Sequence, residues 1–277
     1  MAAIFICGSI NLVTMTASRT FDFGIRAFDL KIRVASNSEK VRYTLERFLL
    51  PPFMRCDVPD AAADVVVKVW TAAAGFEISV DNVKVASGES LADAALAAVK
   101  ALDDALIRKL RVLRAVHAGA VVLHGRALLV PGLSHAGKSS LVAELLRRGA
   151  AHLSDEYALI DQDGRVHAYP RPLLLRDGRP RQTLLLPGEL KASFALEPMR
   201  IGWILGVEYD PGAFWKISRI SQSEAVMLLL SNTPHEMGQS PEMVDLFTRC
   251  VVGAECYTGT RGDVVEAADR ILELVTK

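Results

Sequence analysis

Leu128-Leu129-Val130-Pro131-Gly132-Leu133-Ser134-His135-Ala136-Gly137-Lys138-Ser139-Ser140 decides how the rest of this chain is read. An apolar run enters a turn in which Gly132 and Gly137 bracket four residues, and Lys138-Ser139 then open a stretch with Leu141, Val142, Leu145 and Leu146 at helical spacing. This is the strand, glycine-rich loop and helix of a phosphate cradle, GxxxxGK[ST]. A polyphosphate is held by backbone N–H groups converging on a helix N-terminus, where the dipole also favours anions. Glycine allows the close approach, Lys138 reaches the β and γ phosphates, and the Ser139 hydroxyl completes a magnesium shell. Ser134, His135, Ala136 and Ser140 are read as backbone and shell around the same phosphates. ATP with Mg2+ is therefore the expected cofactor.

Two acids, Asp155-Glu156, follow Lys138 by seventeen residues. A helix ended by Gly149 and a short run, Ala151 to Leu153, would return both carboxylates to the phosphates. Phosphoryl transfer needs two acidic functions, a cation ligand and an acceptor for the proton of the attacking hydroxyl. The spacing leaves open which acid performs which.

Upstream of the loop, Ala120–Leu123 and Ala127–Val130 are expected as strands joined by a three-residue turn, His124-Gly125-Arg126. Downstream, Tyr157–Ile160 and Val166–Tyr169 flank Asp163-Gly164, a hairpin dipeptide suited to positive φ at both positions. Trp203–Tyr209 reads as another strand. Ser221 and Glu224 have capping-box spacing ahead of a helix, and a last helix is expected from about Asp263. Before all this, residues 21–108 read as a small α+β unit. Phe28, Leu30, Ile32 and Val34 alternate as a strand; a helix covers about Glu39 to Leu49; strands flank Gly75 and Asp81-Asn82; a long amphipathic helix runs from Ser90 to Leu110. The expected division is an extension over 1–20, a substrate-recognition unit over 21–108 and a phosphate-loop unit over 109–277.

Composition bounds the partners. The chain has 277 residues, 51% of them hydrophobic, and 32 basic side chains against 32 acidic ones. That balance supplies no overall attraction to nucleic acid or anionic membrane. Cys7, Cys56, Cys250 and Cys256 form no metal-binding spacing and read as free thiols. Residues 1–17 are apolar but lack a basic start and are broken by Gly8, Ser9 and Asn11, so they are not read as a secretory signal; Met15 offers an alternative start. No stretch reaches the ~20 apolar residues of a bilayer span, and the expected location is cytoplasmic.

His117-Ala118-Gly119 before a strand, the hairpin, the loop and then Leu153-Ser154-Asp155-Glu156 together resemble the catalytic domain of HPr kinase/phosphorylase and related serine kinases, over about residues 113 to 176. More weakly, Tyr169-Pro170-Arg171-Pro172 and the stretch from Tyr257 to Val275 resemble shorter HPr-kinase-like proteins, including those that phosphorylate a serine of lasso-peptide precursors. The resemblance implies a phosphate-loop α/β fold akin to phosphoenolpyruvate carboxykinase, behind a small α+β unit. It also implies a kinase acting on a serine of a peptide or protein, and His117 in the site. Arg171 and Arg176 are candidate guanidinium donors toward the substrate's transferring phosphoryl group.

Two departures narrow this. Glu156 stands where the family usually has aspartate. A late glycine- and asparagine-containing stretch, linked in the family to phosphorolysis and HPr recognition, has no counterpart, so kinase activity without its reverse is implied and HPr is a doubtful substrate. Family members form rings, which makes a homo-oligomer an expectation here. Two other readings stand beside this one: a kinase for a small-molecule alcohol, and a nucleotide-binding scaffold that transfers nothing.

Overall fold

The computed structural model describes residues 20–50, 53–59, 62–132, 136–175, 183–238 and 240–276. The chain is mixed α/β, with two main sheets. The first has β1 (Phe21–Ala27), β2 (Leu30–Ser36), β3 (Met54–Cys56), β4 (Val65–Ala72), β5 (Gly75–Val80) and β6 (Val83–Gly88), in the order β3-β1-β2-β4-β5-β6. Helices α1 (Glu39–Phe48) and α2 (Leu91–Lys109) complete this unit. Phe28 does not continue a strand as its alternation suggested. It sits at φ 55 in the turn between β1 and β2, and Phe23, Ile25 and Ala27 of β1 supply the buried face before it. Asp81-Asn82 forms the expected turn between β5 and β6, with both residues at positive φ.

Helix α2 begins at a Ser90–Asp93 capping box and packs its alanine-rich face, from Ala94 to Leu106, into the first core. That core extends beyond the first sheet, because Leu113, Ala115, Tyr157, Leu159 and Tyr169 join it.

The second sheet is built from β7 (Arg114–Leu123), β8 (Arg126–Pro131), β9 (Ala151–Ser154), β10 (Tyr157–Ile160), β11 (Arg165–His167), β14 (Met199–Tyr209), β15 (Lys216–Arg219) and β16 (Glu255–Arg261). A separate pair, β12 (Leu173–Leu175) and β13 (Thr183–Leu185), lies outside it. The main path runs β11-β10-β7-β8-β14-β16-β15, with β9 also on β7. Strands β8, β14 and β16 are mutually parallel.

Alternate side chains of β8 feed opposite cores, as a strand buried on both faces requires. Ala127 and Leu129 pack toward α4 (Gln222–Ser231) and α5 (Pro241–Val251). Leu128 and Val130 pack toward α3 (Lys138–Arg147) and α6 (Val264–Val275). Gly119 of β7 admits α3 closely, since a Cβ there would lie 2.6 Å from Val142 Cγ2.

The turn between β7 and β8 has two residues, not three. His124 (φ 49) and Gly125 (φ 73) take the left-handed conformations that match the strand twist, and Arg126 already pairs with Leu123. At Asp163-Gly164 only Gly164 is left-handed. Asp161 Oδ1 accepts from the Asp163 and Arg165 amides and shapes a longer loop instead. The capping box at Ser221–Glu224 and the Asp263 cap of the last helix are both present. Cys56, Cys250 and Cys256 are free, and burial pushes the Cys250 thiol up to about 12. No helix among the described residues is long and apolar enough to cross a membrane.

His152 of β9 is fully buried against Phe194, and neither ring nitrogen has a hydrogen-bond partner among the described residues. Burial pushes its pKa down to about 4, against a weaker opposing effect of the Ser154 backbone. The folded ring stays neutral while the unfolded one takes a proton below about 6.5, so its contribution is whole above that pH and is lost as pH falls toward 4. His152→Leu is expected to flatten this loss. Urea midpoints of variant and wild type from pH 7 to 4 check it, and parallel curves would contradict it.

Candidate phosphoryl-transfer site

The β8-to-α3 connection carries the glycine-rich turn. Gly137 caps α3 in a left-handed conformation (φ 78) that side-chain-bearing residues rarely adopt. Lys138, the first helical residue, is buried. Ala136 and Gly137 form a bend that leads into α3, whose first residues are Lys138, Ser139 and Ser140; Ser134 and His135 lie outside the described residues. At the entrance the Gly132 amide donates to the His117 carbonyl (3.1 Å), which ties the turn to β7.

Asp155 and Glu156 form the bend between β9 and β10, both paired with β7. They and the turn therefore hang from one strand. Asp155 is buried, and burial pushes its pKa up to about 7. A hydrogen bond from Ser139 and the nearby Lys138 oppose the rise, while Glu156 adds to it. Its Oδ1 has no hydrogen-bond partner among the described residues. For Glu156, burial also pushes upward. The adjacent His117 ring, Lys138 and Lys100 outweigh it and hold this carboxyl below its ordinary value. Burial lowers the Lys138 pKa, opposed by Glu156 and Asp155. Two neighbouring carboxyls are thus pushed in opposite directions, the pattern that divides acid–base roles in catalytic sites.

His117 lies within β7, not ahead of it. Its Nδ1 is 3.6 Å from Glu156 Oε1, an ion-pair distance rather than a hydrogen bond, and its ring packs on Tyr157 at 4.5 Å between centroids.

A cleft of about 1070 Å³ joins the start of α3 to both acids, and His117 is not among the residues that line it. One wall holds Gly137 to Ser140, Asp155 and Glu156. A second comes from α2 with Leu96, Val99, Lys100, Asp103 and Asp104, and a third from Tyr209, Pro211 and Arg261 to Val264. Arg171 also lines the cleft, but its guanidinium is engaged. Nε donates to Asp103 Oδ1 (2.7 Å), Nη2 lies 2.6 Å from the same oxygen without hydrogen-bond alignment, and the Tyr169 hydroxyl donates there too (2.6 Å). The Arg171 guanidinium stacks on the Tyr169 ring at 3.6 Å. Arg176 falls outside the described residues.

Sequence reading missed Asp103 and Arg261. Asp103 carried a signal, since it lies four residues after Val99 and three before Leu106, on the buried side of α2. A charge there calls for a buried partner. Arg261 carried none.

Among the described residues no three His, Cys, Asp or Glu side chains cluster as a self-sufficient metal site.

These features define a class, a mixed α/β protein with a glycine-rich turn facing two acids. No protein-family model matches the chain, and no curated protein matches it. Among solved structures it is similar to the Hpr(Ser) kinase/phosphatase from Coxiella burnetii, at 13% identity over 59% of this chain and 92% of that one, with a TM-score of 0.29. A superposition that loose transfers no residue's role.

Proposed function

We propose that this chain is an ATP- and Mg2+-dependent kinase, of the HPr-kinase-like type, that phosphorylates a hydroxyl, a serine of a peptide or protein such as a ribosomally made precursor. The observation that carries the reading is the convergence of Lys138, Ser139, Asp155 and Glu156 on one cleft at the N-terminus of α3. The orphaned Asp155 Oδ1 and the left-handed Gly137 fit a bound nucleotide and cation. ATP supplies the phosphoryl group there, and Mg2+ neutralises its charge.

The residues divide the work by their charge. Lys138 places its ammonium beside the phosphates. Glu156, held ionised, and the Ser139 hydroxyl hold the cation. Asp155, the buried acid beside the Ser139 hydroxyl, takes the proton of the attacking hydroxyl. His117 orients the Glu156 carboxylate. The α2 wall receives the acceptor, with the Arg171–Asp103 pair shaping its floor, and residues 21–108 thereby act in recognition.

Incubation with labelled ATP, Mg2+ and serine-containing peptides or extracts is expected to label an acceptor with wild type and to lose at least ~100-fold of the rate with Lys138→Ala. Equal labelling by both would remove the kinase reading. Label appearing on a small alcohol would redirect the acceptor class. Nucleotide binding without any transfer would leave a scaffold.

A further inference from the structure

Arg261 ends β16, is 2% exposed, and stands 124 residues from the glycine-rich turn it touches. Its Nη2 donates to the Gly137 carbonyl (2.8 Å) and its Nη1 to the Gly262 carbonyl (3.2 Å). The guanidinium lies 5.0 Å from the Tyr209 ring centroid, an arrangement suited to a cation–π contact. Its Nε finds no acceptor among the described residues, although the side chain lines the cleft.

The Gly137 carbonyl also accepts from the Leu141 amide (3.2 Å), the first helical hydrogen bond of α3. In a trans peptide the C=O and the following N–H point in opposite directions. Two donors on the Gly137 oxygen therefore aim the Lys138 N–H out of the helix N-terminus, where an anion sits. The glycine is part of the same fitting, because a Cβ at position 137 would collide with Arg261 Nη2. The guanidinium occupies the space that the missing side chain leaves.

We propose that Arg261 is a positioning residue for the phosphate-binding turn, setting the affinity for a polyphosphate through the Gly137–Lys138 peptide. This rests on the kinase reading above, and the two can fail separately. The test measures binding of Mg-ATP and of inorganic triphosphate to the full chain, as wild type, Arg261→Ala and Arg261→Lys, with melting curves for each. Wild type is expected to bind both ligands. Arg261→Ala is expected to weaken both by roughly 10- to 100-fold, the scale of a lost charge-assisted hydrogen bond. Millimolar guanidinium should recover part of the loss in Arg261→Ala, and Arg261→Lys should lie between, since it keeps the charge with fewer donors. In turnover the effect should fall on KM for ATP more than on kcat.

A folded Arg261→Ala that binds triphosphate within twofold of wild type would overturn the positioning role and leave the kinase reading intact. Should Arg261→Ala not fold, Arg261→Lys alone decides, and wild-type affinity in it would overturn the role. Wild type that binds neither ligand would remove the kinase reading and this inference with it.

Discussion

Replacing Asp155 with asparagine is expected to slow phosphoryl transfer by at least ~100-fold and, in metal-free protein at pH 8, to raise the melting temperature by several degrees. The first effect follows from losing the proposed proton acceptor. The second follows from proton linkage. An exposed aspartate loses its proton near 3.8, but burial holds the Asp155 carboxyl protonated to about 7 in the fold. Between those values the folded chain binds the extra proton, so stability falls as pH climbs from ~4 to ~7 and stays lowered above.

At about 1.4 kcal/mol per pKa unit the cost has an upper bound of ~4 kcal/mol. Asparagine has the same shape and no charge to bury. Wild type and variant should converge near pH 4 and separate as pH rises, with EDTA present to remove metal. A melting difference that does not change with pH would show that Asp155 is not buried as described. An active variant would move the base to Glu156.

Asp103→Ala is expected to destabilise the protein by about 3–5 kcal/mol, the usual penalty for leaving one partner of a buried ion pair alone. Arg171 is 3% exposed, so its guanidinium would lose its carboxylate without gaining water, and the Tyr169 hydroxyl would lose its acceptor as well. Replacing both partners, as Asp103→Leu with Arg171→Met, should cost much less, since no charge then stays buried. Urea unfolding of the three proteins gives the comparison. A single-variant cost under about 1 kcal/mol would place the pair in solvent instead.

What could be read from the sequence was what is local along the chain. The glycine-rich turn, the acid pair, the Ser221 capping box and the Asp263 helix start each lie within a few residues, and backbone geometry imposes those spacings directly. The start of α5 was also within reach, because Ser240-Pro241-Glu242 is a helix-opening signal, yet no helix was expected there. Strand β1 was overlooked although its alternation, Phe23, Ile25 and Ala27, lies out of phase with that of Phe28, Leu30, Ile32 and Val34, and this change of phase marks the left-handed turn that separates it from β2.

Arg261 and the Arg171–Asp103 pair belong to a different kind of information. Each depends on elements 68 or more residues apart meeting in space. In β16 the surrounding Glu255-Cys256-Tyr257-Thr258-Gly259-Thr260 alternates too weakly to mark its last residue as interior.

Strand β7 bonds to β8, β9 and β10 and so holds the glycine-rich turn on one side and both acids on the other. Pairing with a period of two makes that shared backbone unforgiving. One residue inserted between Gly119 and Val121 would spare every recognisable motif in the chain, yet swing one half of the proposed site to the opposite face of the sheet. A homologue screened by motif alone would pass as intact while the two parts of its cleft had been separated.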